Sequence, residues 1–134
     1  MPSDSIINLD PIPVVFVSGE TGEPISVQAP AAFSTLEGSL ASLRGRKFYG
    51  TVIGSEYRAC LAVNPEDETD YGFPRWSIPG GRYLRRRLPG GHEQPELIAT
   101  AAEDLCSRED YDSTRPVIEF YRSRDEVVLM APVR

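Results

Sequence analysis

The stretch PVIEFYRSRDEVVLMAPV, Pro116–Val133, predicts a β-hairpin near the end of the chain. Apolar and β-branched residues fill both arms, and the polar segment Arg122–Asp125 supplies the turn between them. One arm places a carboxylate, Glu119, between Ile118 and Phe120. An ionised carboxylate in apolar surroundings is costly unless a partner satisfies it. Glu119 is therefore expected either to face open water or to be completed by a group from outside the chain.

The strands outside this hairpin are predicted by the same alternation of apolar and polar residues. They are Pro13–Val17, Lys47–Ile53, Glu56–Val63 and an interrupted segment, Arg75–Leu88, which precede the hairpin arms Pro116–Arg122 and Glu126–Val133. Two helices, each with one apolar face, are predicted over Pro30–Leu43 and Pro95–Cys106. Since neither helix is apolar all round, each is expected to cover a sheet from outside.

The element order strand, helix, strand, strand occurs twice, which indicates an internal duplication. The two hairpins match at a constant offset of 70 residues, which aligns Tyr49 with Glu119, Glu56 with Glu126 and Val63 with Val133. The expected fold is one α+β domain of residues 1–134, with pseudo-repeats at about 13–63 and 75–133 and a linker at 64–74. Its sheet is expected to be antiparallel, with pseudo-twofold symmetry and both helices on one side.

Composition places the chain among globular proteins and narrows the classes of partner. Hydrophobic residues make up 40% and charged residues 25% of the 134 residues, which suits one domain with a real core. The net charge of −6 argues against nucleic acid or an anionic membrane as the main partner. No signal pattern and no membrane-spanning run is present in the sequence. Cys60 and Cys106 lack metal-type spacing, so a reducing cytoplasm is the expected location.

Chemistry that depends on histidine, metal ions or cofactors is not supported by the sequence. His92 is the one histidine, and its glycine-rich turn favours a solvated loop residue over a catalytic one. No histidine-based nucleophile triad or zinc cluster can be assembled. The run Arg85–Arg87 is interpreted as a solvated strand end, because alternate side chains of a strand point to opposite faces. We expect neither a cofactor nor a metal site.

Three short runs resemble the gyrase-inhibitor-like (GyrI-like) small-molecule-binding domain, which is also the effector-binding half of many AraC- and MerR-type bacterial transcription regulators. They are RKFYG at Arg46–Gly50, WSIPGGRY at Trp76–Tyr83 and IEFY at Ile118–Tyr121, within a resemblance that spans about Pro13–Val133. The resemblance implies a ligand cleft between the halves, lined with aromatic residues and often carrying a buried acid for cationic, hydrophobic compounds. Such regulators have a helix-turn-helix beside this domain, for which this sequence has no room. We therefore expect a stand-alone ligand-binding domain that does not bind DNA directly.

The candidate ligand site is centred on Glu119. If Ile118 and Phe120 pack under the helices, the alternation of a strand places Glu119 and Tyr121 on the opposite face, and the aligned Tyr49 with them. An acid among aromatic rings suits a lipophilic cation, because the carboxylate supplies charge and the rings supply cation–π faces. The alternative from the residues alone is an exposed glutamate on a solvated sheet face.

Four further aromatic residues are candidates with less certain positions. Trp76 and Tyr83 either line the cleft or fill the core, and the run Pro79–Gly81 between them is expected to bulge the strand and redirect Tyr83. Tyr57 shares a strand face that the sequence does not assign. Phe73 lies in the linker, where it either covers the cleft or packs on the surface.

Three functions follow from the resemblance, and whether the protein is an enzyme stays open. The first is binding of a cationic or amphipathic aromatic drug or metabolite. The second is a hydrolase that opens the strained cyclopropane rings of alkylating natural products, with Glu119 and Tyr49 as catalytic residues. The third is a protein-interaction module that binds gyrase or another partner, which would need an exposed surface in place of a closed cleft.

Overall fold

The computed structural model describes residues 4–64, 70–91, 93–123 and 125–134. Residues 65–69 of the predicted linker and His92 therefore lie outside the described residues, and so does Arg124 in the predicted hairpin turn. The described elements are β1 (Asp4–Leu9), β2 (Ile12–Ser18), α1 (Ile25–Gly38), β3 (Phe48–Ile53), β4 (Glu56–Ala62), β5 (Arg75–Ile78), β6 (Gly81–Pro89), α2 (Pro95–Cys106), β7 (Val117–Ser123) and β8 (Glu126–Pro132). The α+β class is confirmed.

All the described strands form one antiparallel sheet in the order β1-β6-β8-β7-β3-β4-β2-β5. This order is symmetric about the boundary between β7 and β3, because the second half of the chain repeats the arrangement of the first. The halves also exchange strands: β1 pairs with β6, and β5 pairs with β2. Neither half can therefore complete its side of the sheet without the other.

Each half contains one strand more than the sequence predicted. β1 was not predicted, and the interrupted segment Arg75–Leu88 forms two strands that are far apart in the sheet order. The expected bulge at Pro79–Gly81 is instead a crossing of the chain from β5 to β6. A Cβ atom on Gly80 would lie 2.5 Å from the carbonyl oxygen of Leu9, so this crossing touches the similar crossing from β1 to β2.

One face of the sheet closes on itself. Only Asp10 and Pro11 join β1 to β2, although the two strands lie in different halves of the sheet order, so the sheet must curl. Side chains from the edges and the centre then meet in a single cluster, which we call the inner core: Val14, Tyr49, Cys60, Ile78, Tyr83, Ile118, Val128 and Met130. This face is occupied by core side chains.

Both helices cover the other face of the sheet, as predicted. Ala32 and Leu36 of α1 pack against β2 and β4, where they form a cluster with Val15, Ala59 and Leu61. Ala101 and Leu105 of α2 pack against β6 and β8, where they form a second cluster with Leu84, Leu129 and Ala131. The sheet floor between the two clusters lies at the boundary of the halves.

The bounds of α2 agree with the prediction, whereas α1 is shifted toward the N-terminus. α1 covers Ile25–Gly38 instead of Pro30–Leu43, so Pro30 lies inside the helix and not in its first turn. Proline has no N–H to donate, which removes one helical hydrogen bond at this position. Other interactions must therefore hold the first turns of α1 in place.

The buried side chain of Gln28 supplies those interactions. It is 1% exposed, and its Nε2 donates to the carbonyl oxygens of Glu23 at 2.7 Å and Ser55 at 3.1 Å. Its Oε1 accepts from the backbone N–H of Tyr57 at 3.3 Å. The side-chain amide of Gln28 thus joins α1 to the β3–β4 turn and to β4. The apolar periodicity of the sequence gives no signal of this contact.

We expect Gln28→Leu to lower the free energy of unfolding by about 1–3 kcal/mol, because it leaves the buried backbone N–H of Tyr57 without its partner. Urea denaturation followed by circular dichroism measures the change. The control is Gln94→Leu, at the exposed N-terminal end of α2, where the side chain makes no capping hydrogen bond. Equal losses in both variants would contradict the anchoring role of Gln28.

Candidate functional site

A cavity of about 1100 Å³ lies between α1 and α2, with β3 and β7 as its floor. Apolar side chains make up most of its lining, including Ala29 and Phe33 from α1 and Ile98 and Ala102 from α2. Among the described residues that line it there is no lysine or arginine, whereas there are three glutamates: Glu37, Glu103 and Glu119. The cavity is therefore apolar with an acidic bias.

Glu119 lies on the floor of this cavity and is 7% exposed. Its Oε1 accepts hydrogen bonds from the hydroxyls of Tyr57 at 2.9 Å and Tyr121 at 2.7 Å, and the two hydroxyl oxygens are 3.3 Å apart. No cation forms an ion pair with this carboxylate within the part of the chain that the structure describes. Over the same residues, no donor reaches its second oxygen, Oε2.

The electrostatics of the site follow from this burial. Desolvation raises the pKa of Glu119, and the hydrogen bonds from Tyr121 and Tyr57 lower it in part. Desolvation and the neighbouring carboxylate also raise the pKa of both tyrosines, which therefore stay protonated as hydrogen-bond donors at neutral pH. The floor thus carries one titratable charge, which neutral hydroxyls stabilise but no described cation balances.

An aromatic group lies beside this charge on the α1 side. Phe33 makes edge-to-face contacts with the rings of Tyr121, Tyr57 and Phe48, at centroid distances of 5.2, 6.1 and 6.4 Å. The α2 helix, in contrast, contributes mainly aliphatic side chains to the opposite wall, together with Glu103 and Cys106. A ligand on the floor would therefore meet aromatic rings on one side and aliphatic groups on the other.

The structure brings together three of the residues proposed for the site: Glu119, Tyr57 and Tyr121. The other candidates lie elsewhere. Tyr49 and Tyr83 belong to the inner core, Trp76 packs against it, and Phe73 packs beside the cluster under α1 without lining the cavity.

The predicted facing of Tyr49 and Glu119 is wrong. In the ladder between β3 and β7, Glu119 pairs with Gly50, and Tyr49 pairs with Phe120. Directly paired residues share a face of the sheet. Ile118 lies in the inner core, so it is Glu119, and not Ile118, that faces the helices.

A bulge in β7 explains the error. The offset of 70 residues holds in the second arm of each hairpin, where Tyr57 corresponds to Val127 on the helix-covered face. In β7 the register shifts between Tyr121 and Ser123. A shift of one residue moves every side chain of a strand to the other face. The structural counterpart of Glu119 is therefore Gly50, and the constant offset selected its neighbour, Tyr49.

Sequence reasoning missed several residues of the site. Phe33 and Phe48 were not among the candidates, because the sequence shows only that they lie in a predicted helix and a predicted strand. Gly50 has no side chain, so it carries no chemical group that would mark it as a site residue in the sequence. Glu37 and Glu103 lie on helices whose placement over a shared cavity becomes visible only in the fold.

Comparison with known proteins identifies the fold but no family. No protein-family profile matches the sequence, and no curated protein matches it. An integron cassette protein from the mobile metagenome of Vibrio cholerae has a TM-score of 0.73 at 15% identity, over 98% of this chain and 95% of that chain. SAV2435 bound to tetraphenylphosphonium has a TM-score of 0.66 at 14% identity, over 98% and 94% of the two chains. A hydrolase from Listeria innocua has a TM-score of 0.60 at 12% identity, over 98% and 91%.

No group of three or more His, Cys, Asp or Glu residues in the described ranges could hold a metal ion. Neither α1 nor α2 has the length and apolar character that a helix needs to cross a membrane. Cys60 and Cys106 are free thiols, and burial raises the pKa of Cys60 to about 12.

We expect Glu119→Gln to fold and to gain stability relative to the wild type as the pH rises from about 5 to about 8. The native pKa of Glu119 is raised above the ordinary value of 4.5, so the native state keeps a proton that the unfolded chain has lost. The contribution of this group to stability is therefore present below the ordinary pKa and is lost as the pH rises through the native pKa. Urea denaturation at several pH values measures the difference.

The matched control is Glu126→Gln on β8, whose carboxylate pairs with Arg87. That ion pair lowers the pKa of Glu126, so its contribution is present above the ordinary pKa and is lost in acid. The control should lose stability toward neutral pH, where Glu119→Gln gains it. A difference between Glu119→Gln and the wild type that does not change with pH would contradict the presence of a buried charge without a balancing cation.

Proposed function

We propose that the chain is a GyrI-like small-molecule-binding protein that takes up hydrophobic cations, such as aromatic drugs or metabolites, in the cavity between α1 and α2. The observation that carries the proposal is the buried carboxylate of Glu119, which has no cationic partner among the described residues. A buried charge without a counter-charge destabilises a fold, so a ligand that supplies the positive charge gains binding energy there.

The charge pattern of the cavity supports a cation over an anion. Its lining carries glutamates and, within the described residues, no lysine or arginine, and the whole chain has a net charge of −6. Such a field attracts positive ligands and repels negative ones. Phe33 and Tyr121 add ring faces near the carboxylate, which favour cations that are large and weakly hydrated.

The comparisons support the same function by similarity of fold. SAV2435, which shares the fold at a TM-score of 0.66, was solved with tetraphenylphosphonium, a hydrophobic cation. The motif resemblance adds the effector-binding role of the GyrI-like domain. We place the protein in the cytoplasm, in keeping with the free thiols of Cys60 and Cys106.

We expect the wild type to bind tetraphenylphosphonium and to reject tetraphenylborate, an anion of nearly the same shape. Glu119→Gln should weaken binding of the cation by about 10- to 150-fold, since a charge-assisted contact contributes roughly 1.5–3 kcal/mol. The same substitution should leave binding of a neutral analogue, triphenylphosphine oxide, almost unchanged. Isothermal titration calorimetry on both proteins measures the three ligands.

The control for net charge is Glu96→Gln, in the first turn of α2 and outside the described cavity lining. It removes one negative charge and should leave affinity for tetraphenylphosphonium unchanged. If both substitutions weaken binding equally, the effect comes from the overall field and Glu119 does not contact the cation. Absence of binding to the wild type would refute the proposed function.

A hydrolase is the second candidate, favoured by the raised pKa of Glu119 and by the fold shared with the Listeria innocua hydrolase. Tyr49 has no place in this reaction, because it lies on the other face of the sheet. Glu119 would take a proton from water as the water oxygen attacks a cyclopropane carbon, and would return it to the carbon released by ring opening. Tyr57 and Tyr121 would hold the carboxylate in place.

For this candidate we expect turnover of a cyclopropane-containing alkylator by the wild type and loss of turnover in Glu119→Gln. Chromatography of the ring-opened product measures the rate. A wild-type rate no higher than that of buffer alone would remove the hydrolase for that substrate class. The third function, binding of gyrase or another protein, has less support, because the acid and its aromatic neighbours lie inside a cavity and not on an open surface.

A further inference from the structure

Gly50 lies directly opposite Glu119 in the ladder between β3 and β7. A Cβ atom at this position would lie 2.0 Å from the hydroxyl oxygen of Tyr57 and 2.6 Å from Oε1 of Glu119. Both distances are far below van der Waals contact. Gly50 is not among the glycines with positive φ, so the backbone conformation does not demand glycine here. The demand comes from the space that Tyr57 and Glu119 occupy.

The two halves of the fold differ at this position. Gly50 in β3 is the structural counterpart of Glu119 in β7, and Tyr57 in β4 is the counterpart of Val127 in β8. One half thus supplies a carboxylate, and the other supplies an empty position through which a tyrosine reaches it. A side chain at Gly50 would fill the route by which Tyr57 crosses the boundary.

We propose that Gly50 is a positioning residue of the cation site, an inference that rests on the proposed function. By leaving space on β3, it lets the hydroxyl of Tyr57 join that of Tyr121 on Oε1 of Glu119. Oε1 then holds both hydroxyls, and Oε2 is the oxygen left for the positive charge of a ligand. Gly50 itself touches neither the ligand nor its charge.

The two hydroxyls matter because they are neutral donors. They stabilise the ionised carboxylate, but unlike an arginine they do not balance its charge. The carboxylate therefore still attracts a cation. Loss of the Tyr57 hydroxyl should therefore make Glu119 take up a proton at higher pH. Cation binding requires the carboxylate form, so the pH below which affinity falls should rise with it.

Other titratable groups that face the cavity do not obscure this comparison. They are Glu37 on α1, Glu103 and Cys106 on α2, and Tyr111 after α2. Burial raises the pKa of Cys106 and of Tyr111, so neither titrates in acid. Glu37 and Glu103 are unchanged in every variant, and their effects cancel when variants are compared.

The experiment uses Gly50→Ala, Tyr57→Phe and the double variant. The carbon-13 shift of the Glu119 carboxyl, followed against pH without ligand, reports its protonation directly. We expect the midpoint to move to higher pH in both single variants, and no further in the double variant. Affinity for tetraphenylphosphonium at pH 7 should fall by about 2- to 12-fold in each, the range for one lost hydrogen bond.

Gly38→Ala is the matched control, because a Cβ atom at Gly38 meets no atom within 4 Å. It should leave both the midpoint and the affinity unchanged. If Gly50→Ala does not fold, Gly50→Ala combined with Tyr57→Leu and Glu119→Ala removes the hydroxyl oxygen, the carboxylate oxygen and the ring carbon that lie 2.0, 2.6 and 2.8 Å from the added atom. Recovery of the urea-denaturation midpoint in that combination supports the steric argument, and failure to recover overturns it.

The outcomes separate this inference from the proposed function. A folded Gly50→Ala variant whose Glu119 titrates as in the wild type overturns the role of Gly50, whether or not tetraphenylphosphonium binds. A shifted midpoint in a protein that binds no tetraphenylphosphonium refutes the proposed function but supports the positioning of Glu119 by Gly50. A shift in Tyr57→Phe alone, with a folded and unshifted Gly50→Ala, also overturns the inference.

Discussion

The exchange of strands between the two halves determines the rest of this structure. β1 pairs with β6 and β5 pairs with β2, yet short connections join β1 to β2 and β5 to β6. A flat sheet cannot satisfy both conditions, so the sheet curls and encloses an inner core on one face. With that face filled, the helices can cover only the other one. The cavity is then the gap that two helices leave where the halves meet.

The buried position of Glu119 affects the stability of the fold. Hydrogen bonds to a charged group contribute roughly 1.5–3 kcal/mol each, and Glu119 receives two of them from tyrosine hydroxyls. Desolvation outweighs them, since the net effect on its pKa is an increase. The residue therefore reduces the stability of the fold at neutral pH. A carboxylate arranged in this way is consistent with the proposed cation ligand.

The sequence predicts an element of this fold correctly where a local residue pattern alone determines the presence and the bounds of that element. α2 is predicted at its correct bounds because Pro95 begins it and a continuous apolar stripe follows. α1 is misplaced because a polar contact, the amide of Gln28, holds its first turns. The class of fold and the importance of Glu119 follow from hairpin patterns and from the cost of a buried acid. β1 was not predicted, because it is held in the sheet by pairing with β6, which is distant in the sequence.

The residues around Glu119 were harder to predict than Glu119 itself, for a physical reason. In a strand the face of every side chain depends on parity, so one bulge in β7 separates Tyr49 from Glu119 and brings Tyr57 to it. Parity errors of this kind do not affect the fold class, since both faces of the sheet are buried. A parity error assigns residues of the inner core to the cavity and residues of the cavity to the inner core. Only the register of the strand pairing shows which residues belong to each.

Two identical halves would give a symmetric cavity, with the same chemistry on each side of the boundary. The two halves instead differ at corresponding positions: Gly50 against Glu119, and Tyr57 against Val127. Because of this difference a single carboxylate lies on the floor and receives hydroxyls from both halves. Two carboxylates at corresponding positions would repel each other at close range, and one would be held neutral. The asymmetry therefore leaves the site able to balance one positive charge, with walls contributed by both halves.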